Sequence, residues 1–364
     1  MSRTAMSLER QVIFWAAAFV VLVAVLWLLS PILLPFVVGF GIAYLLRPLV
    51  DRLERARLNR LVAALLVVAL VVLVLLVVIL AVAPALAAQL SSFIQKIPEY
   101  VGKLQALLHD PSRPWLQRII GLAGEQGGGS VADLVKQGTS WITTFLASLW
   151  SGGQSLISLF SLMVVAPVVA FYFVYDWNRM IASVDGAVPL DHRDTVRALA
   201  RQIDAAVAGF VRGQTAVCLL LGAFYAVGLI LAGLNFGLLI GLVSGLLTFI
   251  PYVGSLTGLV LATGVAVAQF WPEWTPIIIV VAVFLVGQFI EGNILSPKLV
   301  GDRIGVHPVW LIFALLAFGY LFGFVGLLIA APLAATIGVL ARFALSRYRD
   351  SALYTGKTPA GWKK

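Results

Sequence analysis

Ionisable residues are almost absent from the C-terminal part of the chain, and the few that remain are concentrated in one segment. Between residues 214 and 341, every Lys, Arg, Asp and Glu except Glu273 lies within residues 288–308. That segment also contains glycines and prolines, which interrupt regular helices. Residues 214–341 therefore concentrate their charge in one segment and exclude it from almost all the rest. In membrane proteins, ionisable groups in these surroundings usually mark a pathway.

The composition excludes a soluble domain. Hydrophobic residues make up 61% of the 364 residues and charged residues only 11%, whereas a soluble domain carries roughly 25% charge. The sequence therefore predicts an all-α polytopic membrane protein whose main partner is the lipid bilayer. The net charge of +9 does not indicate nucleic acid, because the basic residues form short clusters beside apolar runs, as an anionic inner leaflet favours.

Several apolar runs have the length of about 20 residues that a helix needs to cross a bilayer. The clear runs are residues 11–29, 61–83, 154–175 and 214–232. A shorter run, residues 32–46, follows Pro31, which predicts a tight hairpin because proline is tolerated at a helix start. The first run exceeds a normal signal-peptide core, so we interpret it as an uncleaved first helix.

Two later apolar blocks, residues 236–270 and 307–341, are too long for single spans. As unbroken helices each would run roughly 50 Å, beyond the hydrocarbon core of about 30 Å. The first is interrupted at residues 249–254, with a turn near Pro251 to Gly254, and the second at residues 318–326, with a turn near Gly319 to Gly326. Both are therefore predicted to be antiparallel hairpins.

Basic clusters set the expected orientation. Residues 47–60 and 176–213 each carry five arginines, and the tail after Ala341 carries six basic residues. Placing all three inside puts both termini and Lys298 in the cytoplasm. The predicted parts are then 1–83 (N-terminal transmembrane segments), 84–153 (external amphipathic helical region), 154–175 (transmembrane helix), 176–213 (cytoplasmic amphipathic helix), 214–341 (transport core with broken helices) and 342–364 (basic cytoplasmic tail).

The amphipathic regions each have more than one interpretation. The external region either caps a cavity, lies on the outer leaflet or packs as an ordinary helical hairpin, with a flexible break at residues 127–130. The cytoplasmic helix either packs under the membrane or takes part in gating.

No constellation for catalysis, a metal or a cofactor is predicted. His109, His192 and His307 lie in different segments without metal-ligand spacing, and no phosphate-binding loop occurs. The single cysteine, Cys218, excludes an intrachain disulfide. The chain is therefore not expected to be an enzyme.

The candidate site lies around the charged segment. Gln288 and Glu291 share a helical face, and Pro297 and Gly301 are expected to break the helix and free backbone groups near Lys298 and Asp302. Broken helices are the usual substrate or ion sites of secondary transporters. The candidate substrate or ion path comprises Pro251, Tyr252, Gly254, Gln288, Glu291, Asn293, Pro297 and Lys298. The candidate hinge or turn residues are Gly301, His307, Pro308, Gly323, Gly326 and Pro332.

Two of these residues have structural alternatives. Glu291 either carries exchange in a path or pairs with Lys298 or Arg303 to seat a cytoplasmic loop. His307, directly before Pro308, either starts a helix or relays protons.

A series of motifs in one order resembles a known family. The motifs are Phe171-Tyr-Phe-x-Tyr-Asp176, Arg212-Gly-Gln214, Ile250-Pro-Tyr-Val-Gly254, Gln288-x-x-Glu-Gly-Asn-x-Leu-x-Pro-Lys-x-Val-Gly301, Val306-His-Pro308 and Phe322-Gly-x-x-Gly-x-x-x-Ala-x-Pro332. Together they resemble the autoinducer-2 exporter family of permeases. Val253 departs from the isoleucine common at that position.

The resemblance implies a bacterial inner-membrane protein with about eight transmembrane segments. It also implies homo-oligomers, with a pentamer as one candidate. Members of the family have been assigned export of the furanone signal autoinducer-2 or cation/proton antiport. Three hypotheses follow: an exporter of a small polar metabolite such as autoinducer-2, a cation/proton antiporter using Glu291, and a non-transporting membrane scaffold or partner subunit.

Overall fold

The computed structural model describes residues 8–108, 153–300 and 307–355, and every regular element within these ranges is helical. This confirms the predicted all-α class. The helices are α1 (Leu8–Leu28), α2 (Ser30–Arg55), α3 (Arg60–Leu108), α4 (Gly153–Ala187), a 3₁₀ turn (Leu190–His192), α5 (Arg193–Leu231), α6 (Gly237–Leu247), α7 (Val253–Phe270), α8 (Trp274–Ile290), the π-helix (Glu291–Val300), α9 (Pro308–Arg349) and α10 (Ala352–Thr355).

Six helical stretches of the described chain are long and apolar enough to cross a membrane. They are Ile32–Arg55, Arg60–Tyr100, Leu190–Leu231, Val253–Phe270, Trp274–Val300 and Pro308–Arg349. Many large apolar side chains on these helices face outward, among them Leu219, Leu231 and Leu316. Outward apolar faces on this scale are what a lipid environment requires. The chain is therefore a multi-pass membrane protein.

Helices α3 and α5 are longer than the apolar runs within them. α3 continues through Pro84 to Leu108, and α5 joins the predicted cytoplasmic helix to the next apolar run without a break at Gly213. Hydropathy changes at these points, but the backbone hydrogen-bond pattern does not. The break expected at residues 127–130 lies outside the described residues.

Contacts divide the chain into two compact units. The first comprises Met1–Leu65, Ser161–Val211 and Arg303–Lys364, and the second comprises Leu66–Phe160 and Arg212–Asp302.

In the first unit, Arg60 ties α3 to α2 and α4. Its guanidinium donates to the carbonyls of Val174 and Tyr175 at 2.7 and 3.0 Å and to the Glu54 carboxylate at 2.8 Å. Arg47 of α2 lies 4.7 Å from the centroid of a Trp177 ring. Basic residues that indicated the cytoplasmic side in the sequence are therefore also structural partners of α4.

The turn between α4 and α5 is held by a two-point ion pair. Arg197 donates to both carboxylate oxygens of Asp185 at 2.7 Å. Hydrogen bonding to Arg197 lowers the pKa of Asp185 below its ordinary value. The pair joins the two ends of the turn across the 3₁₀ segment.

We expect Asp185→Asn to lower the thermal unfolding midpoint at pH 7, because asparagine cannot form the charged pair. A lowered carboxyl pKa in the folded state stabilises the fold above the unfolded-state pKa of about 3.9. That contribution disappears as the pH falls through the folded-state pKa, so wild type and variant should converge in acid. Asp191→Asn, at an exposed site in the same turn, is the control and should change little at either pH. A difference between wild type and Asp185→Asn that does not shrink as the pH is lowered would contradict the assignment.

Helix α9 of the first unit is a hairpin of two arms. Gly323 has φ 60° and ψ −138°, outside helical geometry. A Cβ on Gly326 would overlap the Phe318 carbonyl, and one on Gly319 would lie 2.8 Å from Leu327 Cδ2. Residues eight apart in one straight helix are separated by about 12 Å. The predicted second hairpin is therefore confirmed, with its turn at Gly323.

In the second unit, the described end of α3 packs on the turn between α5 and α6. The Phe93 and Tyr100 rings contact the Phe236 ring, with centroids 5.1 and 6.4 Å apart. The Gln89 side-chain carbonyl accepts a hydrogen bond from the Leu239 N–H at 3.0 Å. Among the interpretations of residues 84–153, the described part agrees with a packed helix.

Candidate functional site

The first irregular segment of the second unit is the turn between α6 and α7. It contains Pro251, which lacks an N–H, and Tyr252, whose φ of 68° is left-handed. A Cβ on Gly254 would overlap the Thr248 backbone, and one on Gly258 would overlap the Ser244 hydroxyl. The two helices thus run antiparallel in close contact, which confirms the first predicted hairpin.

Buried polar side chains gather beside this turn. Four residues of the described chain form this group: Gln214, Ser244, Thr248 and Ser255. Ser244 and Thr248 each donate to the carbonyl four residues earlier, at 2.6 and 2.9 Å, as such side chains do inside helices. The Gln214 amide donates to the Thr248 carbonyl at 2.5 Å. It therefore satisfies a carbonyl at the end of α6 that helix termination would leave without an intrahelical donor.

The second irregular segment is the π-helix Glu291–Val300, which follows α8 directly. π-Helical turns are rare in proteins overall, but many of those that occur are found at functional sites. The expected helix break at Pro297 is wrong: the chain stays helical through this proline up to Val300. We attribute this to the wider winding, which moves the carbonyl of the preceding turn away from the proline ring. Asn293 donates to the Phe289 carbonyl at 3.0 Å where the winding changes.

Both irregular segments meet α5 at two consecutive residues. A Cβ on Gly213 would overlap the Leu299 carbonyl, so α5 and the π-helix touch there backbone to backbone. The next residue, Gln214, holds the end of α6 through Thr248. We call Gly213 and Gln214 the α5 junction.

Glu291 lies at the C-terminal end of the buried face of α8. Buried positions recur at spacings of three and four along this helix, at Ile277, Val280, Phe284 and Gly287, and Glu291 is the next position of that series. Its side chain is partly buried. Gly287, one turn earlier on the same face, lies directly against the Tyr225 ring of α5, so this face of α8 is the one that packs on α5.

The other predicted path residues differ in how exposed they are. Gln288, Asn293, Pro297 and Lys298 are exposed, although Gln288 is only three residues from Glu291. Tyr252 is also exposed, whereas Gly254 is buried and Pro251 is partly buried.

No ion pair joins Glu291 to Lys298, and none to any other cation of residues 8–108, 153–300 and 307–355. The alternative partner Arg303 lies outside those residues, as does Gly301.

The remaining hinge candidates belong to the first unit. His307 caps the start of α9, where its Nδ1 accepts a hydrogen bond from the Val309 N–H at 3.3 Å, and Pro308 is the first residue of the helix. This geometry is that of a helix start. Pro332 lies within the second arm of α9, where its carbonyl accepts from Thr336 at 2.9 Å.

Sequence reasoning missed the buried polar group and Tyr225. A signal existed for Gln214, the long polar side chain at the beginning of an apolar run, and for Ser244 and Thr248, spaced one turn apart. No local signal identifies Tyr225, because its importance depends on residues of α8 far along the chain.

Apolar membrane-length helices, a tight hairpin in each unit and a partly buried carboxylate beside irregular helix segments are typical of polytopic membrane transport proteins. The chain matches the family described as "AI-2E family transporter" over residues 17–345 and belongs to that family. The family suggested by the sequence motifs is thus confirmed.

Individual relatives agree with this membership. The chain is 29% identical to "Putative transport protein YrrI" of Bacillus subtilis over 318 residues, covering 86% of this chain and 87% of the relative. It is 28% identical to "Putative permease PerM" of Escherichia coli over 325 residues, covering 88% and 90%. With "Putative transport protein MT0215" of Mycobacterium tuberculosis it shares 29% identity over 343 residues, covering 90% and 89%. These names support transport and specify no cargo.

Proposed function

We propose that this protein is a secondary transporter or facilitator that exports a small polar metabolite such as autoinducer-2 from bacterial cells. The observation that carries the proposal is the α5 junction, where the π-helix and the end of α6 meet two consecutive residues of one helix. Irregular helix segments expose backbone groups that can bind a solute within a membrane. Glu291 supplies the ionisable group of the site.

The size and polarity of the proposed cargo follow from the groups at the site. Hydroxyls, amides and one carboxylate favour a solute rich in hydroxyl groups, and small residues such as Gly213 and Gly254 bring the helices close together. A large apolar solute would leave the Glu291 carboxylate without a polar partner, which is unfavourable away from water. Autoinducer-2, a small hydroxylated furanone, has the required chemistry.

The test is flux across proteoliposomes that contain the purified full-length protein. Autoinducer-2 and a panel of small hydroxylated metabolites are measured with and without imposed proton and sodium gradients. We expect the rate to exceed that of protein-free liposomes for at least one member of the panel. Equal rates with and without protein for every member would reject the proposed export function.

A cation/proton antiporter using Glu291 is the second candidate function. It is favoured by a carboxylate that is partly buried and has no ion pair in the described chain. Antiport requires a carboxyl group that exchanges a proton for a cation. In the same proteoliposomes, an imposed sodium or potassium gradient should then move protons in the absence of any metabolite.

We propose the bacterial inner membrane as the location, with both termini in the cytoplasm. The arginine clusters and the basic tail support this orientation. We also propose that the chain forms homo-oligomers, with the pentamer as the specific expectation. The mass of the protein in detergent or nanodiscs tests this assembly, and a monomer at all concentrations would reject it.

The orientation predicts which introduced cysteines react from each side. In a Cys218→Ser background, Ala56→Cys and Lys298→Cys should react with a membrane-impermeant maleimide only after the cell is opened. Ser92→Cys on α3 should react in intact cells. All three positions are exposed, so unequal labelling reports sidedness rather than burial. Labelling of Ala56→Cys and Ser92→Cys from the same side would overturn the orientation.

A further inference from the structure

Tyr225 of α5 has a buried hydroxyl group that the proposed path leaves unexplained. The side chain is fully buried, and its ring stacks on Phe284 of α8 with centroids 4.5 Å apart. The hydroxyl has no hydrogen-bond partner among the described residues. An unpaired buried hydroxyl is destabilising, and phenylalanine would keep the stacking without that penalty. The group therefore needs a partner that an adjustment of nearby side chains can provide.

Gly287 gives this hydroxyl access to the backbone of α8. A Cβ on Gly287 would lie 2.7 Å from the Tyr225 oxygen and would overlap the ring edge. Only glycine lets the phenol end lie against the helix at this point. The Tyr225 oxygen therefore lies against the buried face of α8, which continues to Glu291.

Glu291 is the polar side chain that follows on that face. It lies four residues, or one helical turn, after Gly287. A Cα–Cβ bond in a helix tilts towards the N-terminus, so the Glu291 side chain leans back over Gly287 and towards Tyr225. Within the described chain, no cation competes for this carboxylate through an ion pair.

We propose that Tyr225 is a positioning residue whose hydroxyl donates a hydrogen bond to the Glu291 carboxylate once that side chain turns towards it, across the space that Gly287 keeps free. When a solute binds Glu291, it replaces the tyrosine as hydrogen-bond donor or ligand. The role in transport rests on the proposed function, whereas the contact between the two side chains does not. Cys218 lies two helical turns before Tyr225, on the same side of α5.

A double-mutant cycle on thermal unfolding tests the contact without requiring transport. Tyr225→Phe is measured in the full-length wild type, in Glu291→Leu and in Glu273→Leu. Leucine cannot accept a hydrogen bond, and Glu273 is an exposed residue at the opposite end of α8, so it is the matched control. We expect Tyr225→Phe to lower the unfolding midpoint by about 2 °C or more in the wild type and in Glu273→Leu. In Glu291→Leu it should leave the midpoint unchanged or raise it.

Two results would overturn the assignment. An equal shift in all three backgrounds would show that the hydroxyl is not coupled to Glu291. A higher midpoint for Tyr225→Phe in the wild type would show that the hydroxyl is unpaired there, because removing an unpaired buried group stabilises a protein.

A flux measurement separates this inference from the proposed function. With autoinducer-2 as the probe, Tyr225→Phe should raise the half-saturating concentration about tenfold and leave the maximal rate within about twofold. An unchanged half-saturating concentration would overturn the positioning role. If wild type itself moves no autoinducer-2, that cargo is rejected, and the unfolding cycle still decides whether Tyr225 contacts Glu291.

Discussion

Replacing Glu291 by glutamine is expected to lower solute flux at least tenfold, equivalent to about 1.4 kcal/mol in the barrier, or to uncouple it from a proton gradient. Glutamine keeps the shape and hydrogen-bonding capacity of the side chain but cannot ionise. The carboxyl group is partly buried at the C-terminal end of α8 and has no ion pair with Lys298. Membrane insertion and assembly should therefore remain intact while the exchange of a proton or cation is lost.

The measurement is flux in proteoliposomes at several pH values, with and without a proton gradient. Glu273→Gln is the matched control, because Glu273 is an exposed carboxylate at the other end of the same helix. It should transport at the wild-type rate. If Glu291→Gln also transports normally at every pH, Glu291 is a structural residue, and the proton-coupled candidate function must be abandoned.

Gly213→Ala is expected to separate the π-helix from α5. The added methyl group would overlap the Leu299 carbonyl, and neither backbone can move aside without displacing its helix. Overpacking of this kind costs roughly 1–3 kcal/mol. We expect a lower thermal unfolding midpoint and loss of flux together, because the α5 junction holds both irregular segments.

Gly264→Ala provides the control for the glycine substitution. Gly264 lies in α7 with no atom within 4 Å of the position of an added Cβ. Alanine is the better helix former, so this change should stabilise the protein by up to about 1 kcal/mol and leave flux intact. A Gly213→Ala protein as stable and active as Gly264→Ala would show that the close approach of α5 and the π-helix is not required.

The sequence was sufficient to locate the two hairpins. Their blocks exceed the thickness of a bilayer, and Pro251 and Gly323 stand where the excess length must be folded back. Proline removes a helical donor, and Gly323 adopts a left-handed φ that other residues rarely take. Both causes are local, so both can be recognised without knowledge of the packing.

Other features depended on distant residues and could not be predicted. Hydropathy locates the ends of apolar runs, but α3 continues past Pro84. Pro297 resembles a helix breaker in sequence, yet the chain around it winds into a π-helix packed on Gly213. The buried hydroxyl of Tyr225 is significant only because glycine occupies position 287, more than sixty residues later. Patterns within a short stretch of sequence do not show which distant residues will pack together in the fold.

The shortness of α6 sets an order for assembly during synthesis. Its 11 residues extend about 16 Å, roughly half of a hydrocarbon core of about 30 Å, so α6 alone cannot cross the membrane and its C-terminal end is expected inside it. A carbonyl there needs a donor from the protein, and the Thr248 carbonyl receives it from Gln214. Gln214 precedes α6 in the chain, so the donor for this carbonyl is synthesised before the hairpin that needs it. We expect α5 to be in the membrane before the α6–α7 hairpin packs on it.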